Sequence, residues 1–311
     1  AKECTLAKND PLPYPPENYT CVYEDELFLR HVMGTIQDHN VNDPMFLFWS
    51  LHTIHGPLQV PRKYYDMYDK VPDERRRRYA AMVRWMDHAV ENVTSLLKEK
   101  DMYENTLIVL TADNGGPIYF GGNGGANNWP LKGGKTSNWE GGIRVNGMLF
   151  GGAVPEKMRG QKLDGLGTVW DWYKTFTVGV AGINEEDVID RQAEVYDLPA
   201  LDSINLWPYL TGKIETSPRD VIPIGSTTCG DAKGEYLPNC LSKWGWGEVR
   251  TVLGGLIRDH GDDGLWKLVV DENSMSGFTG PFYPNSSTSS DAFSFNEIEG
   301  CGSTGCLYRL D

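Results

Sequence analysis

A long helical period lying between two short apolar runs constrains this chain more than any other feature. The runs, Phe46–Leu51 and Thr106–Thr111 (TLIVLT), have strand length and are rich in aromatic, leucine or β-branched bulk. From Asp73 onward, Tyr79, Met82, Val83, Met86, Val90, Val93 and Leu97 recur at spacings of three and four, which gathers them on one helical face. Lys98 and Lys100 then suit the negative end of the helix dipole. Strand, long helix, strand is a βαβ unit, and its right-handed crossover predicts a mostly parallel sheet with Phe46–Leu51 as a buried strand.

Upstream, the Pro- and Asn-rich opening to Thr20 reads as loop. Glu24–His39 reads as a helix with Leu27, Leu29, Val32, Met33 and Ile36 on one face. Downstream, the glycine-dense stretch Gly115–Gly152 fits neither period. Leu163–Ala181 returns to helix, with Trp170, Trp172, Tyr173 and Phe176 as core bulk. Gly212–Arg219 (GKIETSPR) is the best linker. Beyond it, Val249–Arg258 and Leu265–Val270 read as antiparallel strands joined by the Asp259–Gly264 turn, and Asn285–Ser294 reads as an exposed loop. The predicted architecture is an α/β domain over residues 1–212 and a small α+β subdomain with an antiparallel sheet over 213–311.

Composition narrows the class. With 29 basic and 43 acidic residues, a net charge of −14 repels polyphosphate and argues against nucleic-acid binding as the main activity. The 10 Trp, 15 Tyr and 10 Phe need a buried core, which excludes global disorder. No stretch approaches the ~18–20 apolar residues that span a bilayer. Sequons at Asn18, Asn92 and Asn285 are candidate glycosylation sites, and the six cysteines fall in three local pairs: Cys4 with Cys21, Cys229 with Cys240, Cys301 with Cys306. Together they point to an oxidising, glycosylating compartment, secreted or lysosome-like. Ala1–Asn9 is polar and not a leader, so the chain is expected to be a processed or partial form.

Chemistry concentrates at a few places. Asp113-Asn114-Gly115-Gly116 follows the strand TLIVL directly, and ligands bind beyond the carboxyl ends of strands in open parallel sheets. Asp and Asn oxygens are hard ligands suited to Ca²⁺ or Mg²⁺; the same residues also read as an Asx turn that merely ends the strand. His55, just past the first apolar run, is placed to give a proton to a leaving group, or to serve structurally, with His52 as a bystander. Lys132 and Lys135, held among glycines, suit an anion, or are solvated loop lysines. Arg75–Arg78 cannot all point one way and read as a solvated helix face. Trp129, Trp139, Trp170 and Trp172 serve packing or stack a sugar ring, and the cysteines read as disulfides, not nucleophiles.

In order along the chain, Phe46-Leu47-Phe48-Trp49-Ser50 runs into His55-Gly56-Pro57-Leu58-Gln59-Val60-Pro61. Then come Tyr79-Ala80-Ala81-Met82-Val83, Asn105–Val109, Thr111–Gly116, Asn127–Lys135, Trp139–Arg144, Leu206–Gly212 and Trp266–Val269. These segments together resemble the sulfatases, in the eukaryotic arylsulfatase branch that includes arylsulfatase B. The resemblance implies an alkaline-phosphatase-like α/β sandwich and a sulfuric ester hydrolase acting on a sulfated carbohydrate or a small sulfate ester. It implies that Asp113 and Asn114 are ligands of one Ca²⁺, and that His55 and Lys135 contact the sulfate, with Lys132 beside them. It also implies a Cys4–Cys21 disulfide. Asn, not His, after Asp113 favours one hard cation over the zinc of related phosphodiesterases.

The family attacks with a formylglycine made from the cysteine of a Cys-x-Pro-Ser-Arg-type motif, and none of the six cysteines here stands in one. The family's early Asp-Asp metal pair and its Lys-x-His are also missing from these residues. The expectation is therefore the central and C-terminal part of a sulfatase, inactive alone, with the nucleophile segment elsewhere, in a second chain for instance. The alternative expectation is an inactive sulfatase-like secreted glycoprotein with a structural or carbohydrate-binding role.

Overall fold

A computed structural model describes residues 23–118, 124–224, 227–228, 251–252, 254–270, 272–274, 276–282, 298–302 and 304–311. The chain divides into two compact units, residues 1–153 with 274–298 and residues 154–273 with 299–311. The 212/213 division suggested by the linker lies inside the second.

The first unit is built on two helices, α1 (Glu24–Asp38) and α3 (Glu74–Glu99), with the short α2 (Arg62–Tyr65) between them. Asp73 caps α3, its carboxylate accepting from the Arg76 amide at 2.8 Å. The buried stripe of α3 is Ala81, Met82, Trp85, Ala89, Leu96 and Leu97. It is rotated from the face predicted by periodicity, so Val83 points outward at 37% exposure. The fully buried Ala81 and Ala89 present no bulk, and the buried Trp85 fills the space beside them against Leu29, Leu58, Tyr64 and Tyr65. Val32 and Ile36 of α1 pack on Leu96 and Leu97.

Three expectations for this unit need correction. Phe46–Leu51 forms no strand and is not buried. Met45, Trp49 and Leu51 pack inward on the helical clusters, while Phe46 and Phe48 stand outward at 75% and 82% exposure. A run with apolar residues on both faces buries fully only when both are covered, and the described residues cover only one. Nor is there a parallel ladder among the described residues: β1 (Ile108–Thr111) pairs antiparallel with β2 (Gly147–Phe150), Ile108 opposite Phe150 and Thr111 opposite Gly147. β2 sits inside the glycine-dense stretch, where no period revealed it. Finally, Arg75–Arg78 is not a solvated face. Arg76 donates to the Gly125 carbonyl at 2.9 Å, Arg77 to the Tyr65 carbonyl at 3.2 Å and Arg78 to Glu74 at 2.6 Å, because successive residues radiate toward different neighbours.

The second unit carries the short helices α5 (Asp171–Lys174), α6 (Arg191–Val195) and α7 (Trp207–Leu210), following α4 (Glu140–Ile143) of the first. Its four-stranded antiparallel sheet has the order β10 (Cys306–Arg309), β7 (Leu265–Val269), β6 (Gly255–Asp259), β3 (Val221–Ile224). The β6–β7 hairpin is the antiparallel pair predicted from sequence, with Asp259 opposite Leu265. The described residues also hold two short ladders, β4 (Thr227–Thr228) with β5 (Thr251–Val252) and β8 (Glu272–Ser274) with β9 (Ile298–Gly300). Cys301 and Cys306 form a disulfide at a Cα separation of 5.1 Å. Cys4, Cys21, Cys229, Cys240, Asn18 and Asn285 lie outside the described residues.

The helix expected over Leu163–Ala181 is restricted to α5 and a six-residue π-helix, Thr175–Val180. Before it, Gly165 donates its amide to the Tyr209 hydroxyl at 2.8 Å, which fixes the preceding segment as loop. Asp171, fully buried, accepts from both Thr168 donors and from the Ile204 amide, and takes Arg219 in a two-pronged pair at 2.5 and 2.6 Å. Arg219 also donates to the Val221 and Asp202 carbonyls. Burial acts to raise the Asp171 carboxyl, but the bonds from Arg219, Thr168 and Ile204 outweigh it and hold it below the usual carboxylate range.

Candidate active site

The residues after β1 form a turn that closes on itself. Asp113 Oδ1 accepts from the Asn114 amide at 2.8 Å, and Asn114 Nδ2 donates to the Gly115 carbonyl at 3.0 Å. With its nitrogen so engaged, the Asn114 amide leaves its oxygen as the group to offer outward. Asp113 is exposed and Asn114 half-buried.

Backbone hydrogen bonds lace this turn to two other segments. The Gly115 amide donates to Gly142 of α4 at 2.8 Å, Gly141 donates to the Lys132 carbonyl at 2.7 Å, and the Lys135 amide donates to the Gly116 carbonyl at 3.1 Å. Asn128 sits at the hub: its oxygen accepts from the Gly116 amide at 3.2 Å, and its nitrogen donates to the Gly116 and Gly133 carbonyls at 2.8 and 3.1 Å. Packing is so close that a Cβ on Gly115 would lie 1.7 Å from the Gly141 carbonyl oxygen, which no side chain survives. The glycines here are therefore the condition for bringing Asp113, Asn114, Lys132 and Lys135 onto one rigid backbone. Lys132 holds its ammonium 4.1 Å over the ring of Trp139, itself buried, so that ring is a seat for the lysine and not a free sugar platform. Trp172 stacks on Phe176, and the Arg219 guanidinium lies over Trp170, which leaves Trp129, at 48% exposure, as the more open of the four.

His55 is carried by a separate loop of the same unit. Its amide donates to the His52 carbonyl at 2.9 Å, and its ring Nδ1 lies 2.7 Å from the Gly56 carbonyl. A carbonyl only accepts, so Nδ1 carries the proton and Nε2 is the free end of an exposed ring. The described bonds of His55 reach His52 and Gly56 only, so the lacing that unites Asp113, Asn114, Lys132 and Lys135 does not include it.

A family model described as Sulfatase matches residues 6–182, more than half of the chain. The chain belongs to the sulfatase family. It is 34% identical over 279 residues to Arylsulfatase J of Mus musculus, covering 89% of this chain and 42% of that protein. N-acetylgalactosamine-6-sulfatase of Canis lupus familiaris is 28% identical over 223 residues, 71% of this chain and 38% of its own. Among solved structures, Ps i-CgsB in complex with k-i-k-neocarrahexaose shares 26% identity at a TM-score of 0.55, over 83% of this chain and 47% of that one. PsFucS1 sulfatase from Pseudoalteromonas sp. matches at a TM-score of 0.58 with 21% identity, over 92% and 45%, and speaks for the fold alone. This sulfatase chain thus spans less than half the length of these relatives.

The donor chemistry of the sulfatase turn fits a hard cation in part: one carboxylate and one amide oxygen on adjacent residues, where Ca²⁺ takes about six to eight oxygens. Among the described residues, the one close cluster of His, Cys, Asp or Glu ligand atoms is Glu299, Cys301 and Cys306, and the disulfide removes both sulfurs from ligand duty. Asp113 is therefore joined by no cluster of further acidic or imidazole ligands among them. Asn128 stands within the Asn127–Lys135 segment, where nothing in the sequence alone marks its side chain as the hub of this lacing. Asn92 sits on α3, its side chain donating to the His88 carbonyl at 3.0 Å.

Proposed function

We propose that this chain supplies the calcium and leaving-group side of a sulfatase site that hydrolyses a sulfate monoester, with the formylglycine nucleophile carried on a segment outside these residues. The observation that carries the reading is the backbone lacing of Asp113, Asn114, Lys132 and Lys135 into one assembly, in a chain of the sulfatase family. Asp113 and Asn114 would hold Ca²⁺, which when bound offsets the negative charge of the sulfate oxygens. Lys135, with Lys132 beside it on the Trp139 ring, would meet the remaining oxygens as point charges on a hydrogen-bonded backbone, an arrangement suited to electrostatic stabilisation. His55, its Nδ1–H held by the Gly56 carbonyl, presents Nε2, and once the ring has taken up a second proton at Nε2 from solvent it gives that proton to the departing alcohol and returns to the Nδ1–H form. The substrate class is a sulfated carbohydrate or a small sulfate ester, and the compartment is secreted or lysosome-like, a reading supported by the Cys301–Cys306 disulfide. Among the described residues no helix is long and apolar enough to cross a membrane.

Peptide mapping of the native material, paired with assay on an aryl sulfate and a sulfated oligosaccharide, tests this. A formylglycine peptide with sulfate release, and a loss of about 10²–10⁴-fold in kcat for His55→Gln, is expected. Native material with no formylglycine peptide and no turnover overturns it and leaves a structural glycoprotein. Conversely, sulfate release by the 311-residue chain alone would show that no outside segment is needed.

A further inference from the structure

The loop that carries His55 is held by a carboxylate from elsewhere in the unit. Asp25, in the first turn of α1, is 3% exposed. Its Oδ1 accepts from the His52 amide at 3.0 Å and from the Thr53 amide at 3.4 Å, and its Oδ2 accepts from the Thr53 hydroxyl. Glu24 beside it takes the His52 ring at 2.7 Å. Two adjacent acids of one helix turn thus grip both residues that precede the His55 turn. The His52 carbonyl then receives the His55 amide, and the two imidazoles lie stacked, centroids 5.8 Å apart at 19°.

We propose that Asp25 is a positioning residue for His55, acting through the Thr53 hydroxyl and the His52 and Thr53 amides to fix the turn from which the imidazole is presented. The proposal rests on the reading of His55 as the proton donor to the leaving alcohol. The grip is one-directional. The carboxylate only accepts, so the single Thr53 proton goes to Asp25, and in the 3.3 Å contact between the Thr53 oxygen and the Tyr23 hydroxyl it is Tyr23 that can donate. Burial, aided by the Asp25 charge, pushes the Tyr23 hydroxyl up, which keeps it protonated for that task. The Tyr23 ring is itself fixed edge-on against Trp85 of α3 at 5.2 Å. A line of contacts therefore runs from the core helix through Tyr23, Thr53 and Asp25 to the His55 turn. Ordinary capping does not need it, since a cap uses the helix's own amides, whereas Asp25 spends its oxygens on a segment 27 residues away.

The test is nitrogen-detected NMR of the His55 ring in the 311-residue chain, with melting temperature as the folding control. The unaltered chain is expected to show one His55 tautomer, protonated at Nδ1. Thr53→Val, which keeps the volume and removes the hydroxyl, and Asp25→Asn are expected to mix the tautomers and average the two ring-nitrogen shifts, with the fold intact. Thr53→Ser is expected to restore the single tautomer, which a merely structural role for the methyl group would not predict. A single, unshifted Nδ1–H tautomer in folded Thr53→Val overturns the proposal, whether or not Asp25→Asn folds. The underlying reading of His55 is judged separately by the kcat of His55→Gln in native material, so either can fail while the other stands.

Discussion

At the residue scale, two buried acids, Asp25 and Asp171, each hold several donors from other segments. Asp171 is the extreme case, a fully buried carboxylate whose every described contact is a donor. Replacing it by Ala strands the Arg219 charge in a buried site, and the expected loss is ~3–5 kcal/mol in urea denaturation at neutral pH. Its pH dependence has a definite sign. The folded carboxyl titrates below its unfolded value, so the stabilisation is fully present above ~pH 4 and is lost as pH falls from there through the folded pKa. Urea midpoints measured from pH 6 down to pH 2 should therefore fall more steeply for the unaltered chain than for Asp171→Ala. Equal slopes would mean that Asp171 does not carry the linkage. None of this was legible in sequence, where Asp171 lies in a stretch that reads as helix and Arg219 closes a stretch that reads as linker.

At the scale of elements, α3 shows which signals are local. Its start was legible because Asp73 supplies its own cap, and Asp73→Ala should cost ~1 kcal/mol, whereas Trp85→Ala, which empties the space between Ala81 and Ala89, should cost ~3–5 kcal/mol by the same denaturation measurement. The stripe itself was off by part of a turn, since Ala carries little hydrophobic signal yet marks where partners come nearest. Phe46–Leu51 failed in the opposite way. Its apolar content is real, but content does not say which face is covered. Phe48→Ser should shift the stability of the 311-residue chain by less than ~0.5 kcal/mol, as expected for a surface position. A loss of ~2 kcal/mol or more would return that residue to the core.

For the whole molecule, the site is a matter of what must be assembled. On the proposed reading, Asp113 and Asn114 would supply two of the roughly six to eight oxygens that calcium takes. Calcium at ~1 mM, the affinity range of extracellular modules, should accordingly leave the melting temperature of the 311-residue chain unchanged and raise that of native material bearing the formylglycine segment, unless Asp113 is replaced by Ala. A response from the isolated chain would show that its own residues complete the site. The sequence by itself determined the family and the α1, α3 and β6–β7 elements. Each of these rests on local chemistry: a cap, a period, a turn, a run of motifs. Tertiary structure alone decided that β1 pairs antiparallel with β2, that Asn128 and a lattice of glycine amides bind the Asp113–Gly116 turn to the lysine loop, and that Asp25 holds the His55 loop from a distant helix. Those are contacts between residues far apart in the chain, and spacing along the chain carries no record of which donor will meet which acceptor once the segments pack.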